Sequence, residues 1–251
     1  MTTPVSETVI WHDVECGRYE ADLPLWRELA AVAGGPILEI GAGTGRVALD
    51  LARRGHAVTA VEIEPELAGE LRSRAGDLPI DVICADITAE PWVGAYPLVI
   101  APMQVIQVLG GERRRLAMFR NARDLLAPGG SVVVAFVDTV GDMTFGRGDL
   151  DQEETLVLDE ARYTSRAVSV QFSRRAIQIV RERRTSGPAG DVQRSRSHQA
   201  LQVLPQARVV TEAARAGLAP AHVHHVPGTD RELGCIALAL RDARGGGGDT
   251  R

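Results

Sequence analysis

The segment from residue 37 to residue 45 constrains the fold more than any other part of the chain. It reads Ile-Leu-Glu-Ile-Gly-Ala-Gly-Thr-Gly, an apolar run followed by glycines at positions 41, 43 and 45. Glycine has no Cβ atom, so it permits positive φ angles and lets a ligand approach the backbone closely. The segment therefore predicts a strand that turns sharply into a helix beside a bound ligand.

The spacing of these glycines argues against a dinucleotide-binding fold. The dinucleotide fingerprint is G-x-G-x-x-G, in which the third glycine lets the helix and the strand pack closely beneath a pyrophosphate. In this chain Arg46 occupies the position of that third glycine. The turn therefore favours a cofactor other than a dinucleotide.

Four further apolar runs follow the turn, at residues 58–62, 81–87, 97–104 and 126–137. Glu62 ends the first of these runs and Asp86 lies near the end of the second. Helical patterns separate the runs, so we expect a parallel sheet with right-handed crossovers. Ligands of such sheets bind beyond the carboxyl ends of the strands, where both carboxylates are expected to lie.

The ordered set of motifs resembles that of the class I S-adenosylmethionine-dependent methyltransferases, over roughly residues 11–138 and again at the C-terminus. The "L-x-P-G-G" turn of that family is matched by residues 126–130. The resemblance implies an α/β fold with a Rossmann-like, doubly wound, seven-stranded sheet whose last strand is antiparallel. It also implies S-adenosyl-L-methionine as the cofactor and S-adenosyl-L-homocysteine as its product.

The resemblance further implies roles for individual residues. Glu62 accepts hydrogen bonds from both ribose hydroxyls, while Asp86 and the Ile87 backbone contact the adenine. Glu39 anchors the methionine end, and Tyr19 reaches its carboxylate. Two structural alternatives stay open, because Glu39 could instead support the glycine turn and Asp86 could cap a helix. The implied cofactor contacts are Tyr19, Glu39, Gly41, Ala42, Gly43, Glu62, Ile63, Asp86, Ile87, Ala101 and Met103.

Two residues are candidates for chemistry at the methyl acceptor. His12 lies in a polar and aromatic N-terminal stretch, and an imidazole is suited to act as a general base at neutral pH. Gln104 follows the fourth apolar strand and is expected to face the transferred methyl group, with Gln107 one turn further on. A bystander histidine and a surface glutamine are the alternatives. Methyl transfer needs few catalytic side chains, because positioning and exclusion of water supply much of the catalysis.

From about residue 155 to residue 204 the pattern changes to the period-two alternation of β-strands. Val168, Val170 and Phe172 alternate with polar residues, and the glycines and proline of 187–190 predict a turn. We expect an antiparallel β insertion that forms a substrate lid, as in small-molecule methyltransferases of the glycine-sarcosine type. Its arginines could meet an anionic substrate or face solvent: Arg174, Arg175, Arg181, Arg183, Arg184, Arg194 and Arg196.

The C-terminal part predicts a helix at 207–216 and two last strands at 221–226 and 235–240. We expect one methyltransferase domain over residues 1–244, including the lid. The glycine-rich residues 245–251 have nothing to bury and are expected to form a flexible tail.

Charge and composition exclude several classes of partner. The formal net charge of −5 argues against a nucleic-acid partner, since such proteins usually present a basic face. No apolar run is long enough to cross a membrane and no leader opens the chain, so a cytoplasmic location is expected. Three scattered cysteines, and three histidines at 222, 224 and 225 without acids at ligand spacing, indicate no metal site.

The sequence thus predicts transfer of a methyl group to a nitrogen or oxygen of a small molecule, with specialised metabolism as the expected setting. Nucleic-acid methyltransferases of exocyclic amines carry Asn/Asp-Pro-Pro-aromatic after the fourth strand, where residues 101–104 read Ala-Pro-Met-Gln. A catechol-type metal enzyme would need clustered acids there. A relative that binds S-adenosylmethionine for a non-methylating cyclisation or pericyclic reaction fits the same motifs and stays open.

Overall fold

The computed structural model describes residues 5–89, 91–138, 152–188, 190–228 and 234–244. Within these ranges the chain forms a large sheet covered by helices and a smaller antiparallel sheet. The helices are α1 (Glu7–Cys16), α2 (Leu23–Ala33), α3 (Arg46–Arg53), α4 (Pro65–Ala75), α5 (Val105–Val108), α6 (Glu112–Asp124) and α7 (Gln206–Arg215).

The large sheet has seven strands in the order β10-β11-β5-β4-β1-β2-β3. These are β1 (Ile37–Ile40), β2 (Val58–Glu62), β3 (Ile80–Cys84), β4 (Tyr96–Ala101), β5 (Leu126–Phe136), β10 (Leu218–Val226) and β11 (Cys235–Asp242). Strands β1 to β5 pair in parallel, whereas β11 is antiparallel to both β5 and β10. The predicted doubly wound sheet with an antiparallel last strand is confirmed.

Alternate side chains of each central strand enter two separate hydrophobic layers. Ile37 packs with α2 and α3 on one face, while Leu38 and Ile40 pack with α6 and α7 on the other. All three side chains are at most 1% exposed. The parallel strands are therefore buried on both sides, as crossover helices require, and their carboxyl ends meet at one edge of the sheet.

Four antiparallel strands form the smaller sheet, called here the small sheet, in the order β6-β7-β8-β9. They are β6 (Glu153–Leu158), β7 (Ala161–Phe172), β8 (Ala176–Ser186) and β9 (Val192–Gln202). This is the predicted β insertion, and its β8–β9 connection falls at the predicted glycine-proline turn. Strands β6 and β7 contact α1, and β9 contacts α5.

A buried ion pair ties the end of the small sheet to the helices of the large one. Arg115 of α6 donates to both oxygens of Glu212 in α7, at 2.6 and 2.8 Å, and also to the Gln202 side chain of β9. Arg115 and Glu212 are 0% and 2% exposed. The guanidinium thus joins three elements at one point.

The first helix was not predicted from the sequence. Ser6 caps α1 by accepting a hydrogen bond from the Val9 amide, and the helix buries Val9, Ile10, Trp11 and Val14. No helix in the described ranges has the length and apolar character of a membrane span. The predicted tail at 245–251 lies outside the described residues, and the division of the chain into domains stays a prediction.

Candidate active site

The glycine turn between β1 and α3 adopts the backbone conformation that the sequence predicts. Gly41, Gly43 and Gly45 have φ angles of 72°, 57° and 96°. The amides of Gly41 and Ala42 donate to the Val61 carbonyl at 2.8 and 3.1 Å, which binds the turn to the end of β2. A Cβ atom at Gly45 would clash with Cδ1 of Leu71 in α4, so glycine at this position allows α4 to pack closely against the turn.

Glu62 lies at the carboxyl end of β2 and points back to the turn. One carboxylate oxygen accepts the Gly43 amide at 2.7 Å and the other accepts the Glu64 amide at 2.9 Å. A carboxylate oxygen can accept two hydrogen bonds, so each retains capacity for a further donor. Beside it Ile63 is 58% exposed, which leaves an apolar side chain open next to a buried acid.

Glu39 is buried beneath the turn, on the face of β1 that packs against α2 and α3. Its side chain is hydrogen-bonded to the Ala48 backbone at the start of α3. The other oxygen, Oε2, is buried and has no hydrogen-bond partner among the described residues. Burial raises the pKa of Glu39 to about 8, although the nearby Arg46 charge opposes the rise.

Arg46 explains why the chain has no glycine three positions after Gly43. Its guanidinium donates to both oxygens of Asp22 and to the Tyr19 carbonyl at 2.7 Å. The guanidinium carbon also lies 5.0 Å from the centroid of the Tyr19 ring. The structure thus places Tyr19 beside the turn, as a buried residue whose ring lies against Arg46.

Asp86 follows β3 and closes a turn. One oxygen accepts the amide and the hydroxyl of Thr88 at 2.9 and 2.8 Å, and the other accepts Arg114 at 2.8 Å. Partial burial would raise the pKa of Asp86, but these hydrogen bonds outweigh it and hold the pKa below its ordinary value. Ile87 is 5% exposed, and its carbonyl accepts Asn121 at 2.7 Å.

The exit of β4 brings Ala101, Met103 and Gln104 to the same edge of the sheet. Ala101 is buried, Met103 has a φ of 54° that is unusual for a residue with a side chain, and Gln104 immediately precedes α5. Gln107 is 1% exposed rather than on the surface. It accepts the Val137 amide at 2.9 Å and donates to the Gln202 carbonyl at 2.8 Å, so it joins the end of β5 to the small sheet.

Helix α1 carries His12 onto the glycine turn. His12 Nδ1 lies 3.3 Å from Thr44 Oγ1, and a Cβ atom at Gly43 would lie 2.4 Å from His12 Nε2. The neighbouring Asp13 accepts the Thr44 hydroxyl at 2.7 Å and also binds Arg74 of α4. Partial burial would raise the pKa of Asp13, but hydrogen bonds with His12, Arg74 and Thr44 outweigh it and hold the pKa well below its ordinary value.

Asp13, Thr44 and Arg74 are parts of this site that were missed from the sequence. The available signal was the start of α1, where Ser6 precedes apolar residues at Val9, Ile10 and Val14 with helical spacing. A helix at that place puts residue 13 on a defined face. The pairing with Arg74, 61 positions along the chain, has no local signature.

The three C-terminal histidines lie along β10, away from the turn. The rings of His222 and His224 meet at 4.5 Å between centroids. Burial and the neighbouring His222 lower the pKa of His224. Within the described part of the chain no group of three His, Cys, Asp or Glu residues is arranged to hold a metal ion.

Residues 37–130, which contain the turn, Glu62 and Asp86, match the model of a family described as "Methyltransferase domain". Over this stretch the chain is similar to a methyltransferase domain. The stretch spans β1 to the start of β5, so it includes the strand ends at which the candidate residues meet.

Two curated proteins resemble parts of the chain. The malonyl-[acyl-carrier protein] O-methyltransferase of Anoxybacillus flavithermus is 35% identical over 113 residues, which cover 43% of this chain and 40% of that protein. The rRNA adenine N-6-methyltransferase of Saccharopolyspora erythraea is 44% identical over 70 residues, or 25% of this chain and 18% of that protein. The chain therefore spans less than half the length of either relative.

The likeness to solved structures extends over both sheets. The sugar N-methyltransferase KedS8 from Streptoalloteichus has a TM-score of 0.73 at 15% identity, covering 96% of both chains. CalS10, an amino pentose methyltransferase from Micromonospora echinaspora, has a TM-score of 0.72 at 16% identity, covering 96% of this chain and 99% of that one. The methyltransferase CcbJ from Streptomyces caelestis has a TM-score of 0.64 at 22% identity, covering 89% and 90%. At these identities the shared property is the fold.

Proposed function

We propose that the protein is an S-adenosylmethionine-dependent methyltransferase that transfers a methyl group to a nitrogen or oxygen of a small molecule. One observation carries the proposal. Inside the methyltransferase domain, the Glu62 carboxylate is held at the glycine turn by the amides of Gly43 and Glu64, beside the exposed side chain of Ile63. An acid and an apolar surface side by side fit a ribose joined to a flat base.

The residues at the turn fit the other end of the same cofactor. Glu39 Oε2 is buried without a partner, so a donor from a bound amine or from water would satisfy it. The glycines carry no Cβ atoms, so both a ligand and the His12 ring can lie against the backbone of the turn. S-adenosylmethionine, when bound, supplies a methyl group already activated on a sulfonium.

The residues around the bound cofactor then have positioning roles. Glu62 orients the ribose through its remaining acceptor capacity, and Ile63 covers one face of the adenine. Asp86 and the Ile87 backbone lie where the adenine edge is expected, while Gly41, Ala42, Gly43 and Tyr19 surround the methionine end. Holding the reactants in line and excluding water supply most of the rate increase in such a displacement.

The acceptor side is proposed to involve His12 and Gln104. His12 can accept a proton from the acceptor nucleophile, and its contact with Gly43 and Thr44 keeps it near the methionine end. Met103 and Ala101, at the exit of β4, form the wall next to Gln104. The small sheet is the proposed substrate lid.

Small molecules, and amino sugars first, are the acceptors to test. KedS8 and CalS10 are described as sugar and amino pentose methyltransferases, and their likeness covers nearly the whole chain. The likeness to the rRNA enzyme covers only 18% of that protein. Residues 101–104 also lack the Asn/Asp-Pro-Pro-aromatic sequence of enzymes that methylate exocyclic amines of nucleic acids.

Mass spectrometry of reaction mixtures tests the proposal. The protein is incubated with S-adenosylmethionine and a panel of amino sugars and hydroxylated small molecules. An acceptor that gains one methyl group, with S-adenosylhomocysteine released, supports methyl transfer. Binding of the cofactor with a rearranged acceptor of unchanged mass supports the non-methylating alternative instead, and absence of cofactor binding overturns both.

A further inference from the structure

Helix α1 contacts the glycine turn through two consecutive residues. His12 Nδ1 lies 3.3 Å from Thr44 Oγ1, and Asp13 Oδ1 accepts the Thr44 hydroxyl at 2.7 Å. Thr44 is 2% exposed, so water does not compete freely for these contacts. Arg74 of α4 holds the same Asp13 carboxylate. The position of α1 therefore determines the position of Thr44, the residue of the turn next to Gly43.

Residues on either side of His12 and Asp13 in the same helix contact the small sheet. Glu15 accepts two hydrogen bonds from Arg183 of β8, at 2.8 and 2.9 Å, and one from the Ser165 hydroxyl of β7 at 2.9 Å. The Arg183 guanidinium carbon also lies 5.0 Å from the centroid of the Trp11 ring. The side chains of Glu15 and Arg183 are 16% and 24% exposed. A bidentate, partly desolvated pair of this kind is stronger than an ordinary surface ion pair.

The two sets of contacts lie on one rigid piece of backbone. Residues 11 to 15 span little more than a single turn of α1, and the main-chain hydrogen bonds of the helix keep their spacing constant. A shift of the small sheet that carries Glu15 must therefore also move His12 and Asp13 relative to Thr44.

We infer that Arg183 is a positioning residue for the glycine turn, acting through Glu15 and α1. The inference rests on the proposed function, in which this turn holds the methionine end of S-adenosylmethionine. Contact of the small sheet with α1 then favours cofactor binding. By linkage, a ligand at the turn stabilises the contact between α1 and the small sheet by the same free energy.

The chain offers a matched control at the next position. Arg184 follows Arg183 on β8, so its side chain points to the opposite face of the small sheet, where it is exposed and paired in register with Arg194. Arg183→Gln and Arg184→Gln remove the same charge from adjacent positions. Only the first removes the contact with Glu15. Glu15→Gln weakens the same ion pair by changing its partner in α1. It replaces Arg183→Gln in the experiment if that variant does not fold.

Calorimetry with S-adenosylhomocysteine measures the effect. We expect Arg183→Gln to weaken binding about 5-fold or more, the lower end of typical coupling between sites. Arg184→Gln is expected to change binding by less than about 2-fold, as for an ordinary surface substitution. Equal affinities of the wild type, Arg183→Gln and Glu15→Gln would overturn the inference while leaving the proposed function intact. Failure of the wild type to bind S-adenosylhomocysteine would instead overturn the proposed function.

Hydrogen exchange separates positioning from a purely structural role. S-adenosylhomocysteine should slow exchange of the β7 and β8 amides in the wild type and in Arg184→Gln, and should do so much less in Arg183→Gln. A structural role alone would change exchange equally with and without the ligand. That result would overturn the inference.

Discussion

Arg46 and Asp22 form a two-point ion pair beneath the glycine turn, with Nη1–Oδ1 and Nη2–Oδ2 distances of 2.6 and 2.8 Å. Trp26 donates to the same Asp22 carboxylate at 2.8 Å, and Asp22 is 0% exposed. Arg46 occupies the position of the third glycine of the dinucleotide fingerprint. In this chain it anchors the start of α2 to the first turn of α3.

Breaking this pair should be costly. Asp22→Asn keeps the shape of the side chain but leaves the largely buried Arg46 without its counter-charge, so we expect a loss of about 3 to 5 kcal/mol in the free energy of unfolding. Urea denaturation measures it. Asp50→Asn, which disrupts the more exposed pair between Asp50 and Arg27, is the control and should cost much less. Equal losses in the two variants would show that burial of the Arg46 pair is unimportant.

Glu39 should make the stability of the ligand-free protein depend on pH. Its pKa is raised by burial to about 8 in the folded chain, above the ordinary value of 4.5. Its contribution is therefore fully present below pH 4.5 and is lost as pH rises through 8, at up to about 1.4 kcal/mol per pH unit. Glu39→Gln removes the titration. As the pH rises from 5 to 8, the free energy of unfolding of the variant should increase relative to that of the wild type. If the two proteins depend on pH in the same way, the pKa of Glu39 is not raised.

Comparing alanine variants of two glycines with similar backbone angles distinguishes the cost of overpacking from the cost of backbone strain. Gly45 and Gly55 have φ angles of 96° and 91°, but only a Cβ atom at Gly45 meets other atoms, those of Leu71 and Leu49. Alanine at either position costs about 1 to 2 kcal/mol of backbone strain. Gly45→Ala should cost about 1 to 3 kcal/mol more from overpacking. Thermal unfolding that ranks the two variants equally would contradict the close packing of α3 and α4 at the turn.

Glu62 should be required for cofactor affinity. Glu62→Ala removes an acceptor of charge-assisted hydrogen bonds and the partner of the Gly43 amide, so binding of S-adenosylhomocysteine should weaken by about 1 to 3 kcal/mol. Glu64→Ala is the control, because only the backbone of Glu64 takes part in the turn. Calorimetry in which both variants bind like the wild type would remove Glu62 from the site.

Local patterns in the sequence were sufficient to predict the large sheet. The glycine turn and the alternating strands and helices each depend on residues that are close together in the chain, whereas the antiparallel end of the sheet was implied by the resemblance to the methyltransferase family. The β insertion was predicted from its period-two alternation for the same reason. Helix α1 was missed because His12, Asp13 and Glu15 interrupt its apolar residues, and the partners of these polar side chains lie far away in sequence.

The sequence could not predict which contacts each polar side chain makes. Gln107 was expected near the cofactor or on the surface, but it lies buried between Val137 and Gln202, a relationship that depends on how the small sheet returns to the core. The seven arginines of the insertion likewise divide by strand register. Arg181 and Arg183 bind Glu154 and Glu15, whereas the side chain of Arg184 points to the opposite face.

A crystal structure of the protein with S-adenosylhomocysteine tests the central claim most directly. The proposed function predicts the ribose hydroxyls within hydrogen-bond distance of the Glu62 carboxylate, the adenine against Ile63 and near Asp86, and the amino acid end above the glycine turn. A ligand bound elsewhere, or a turn that takes up a nicotinamide dinucleotide in place of S-adenosylhomocysteine, would contradict it.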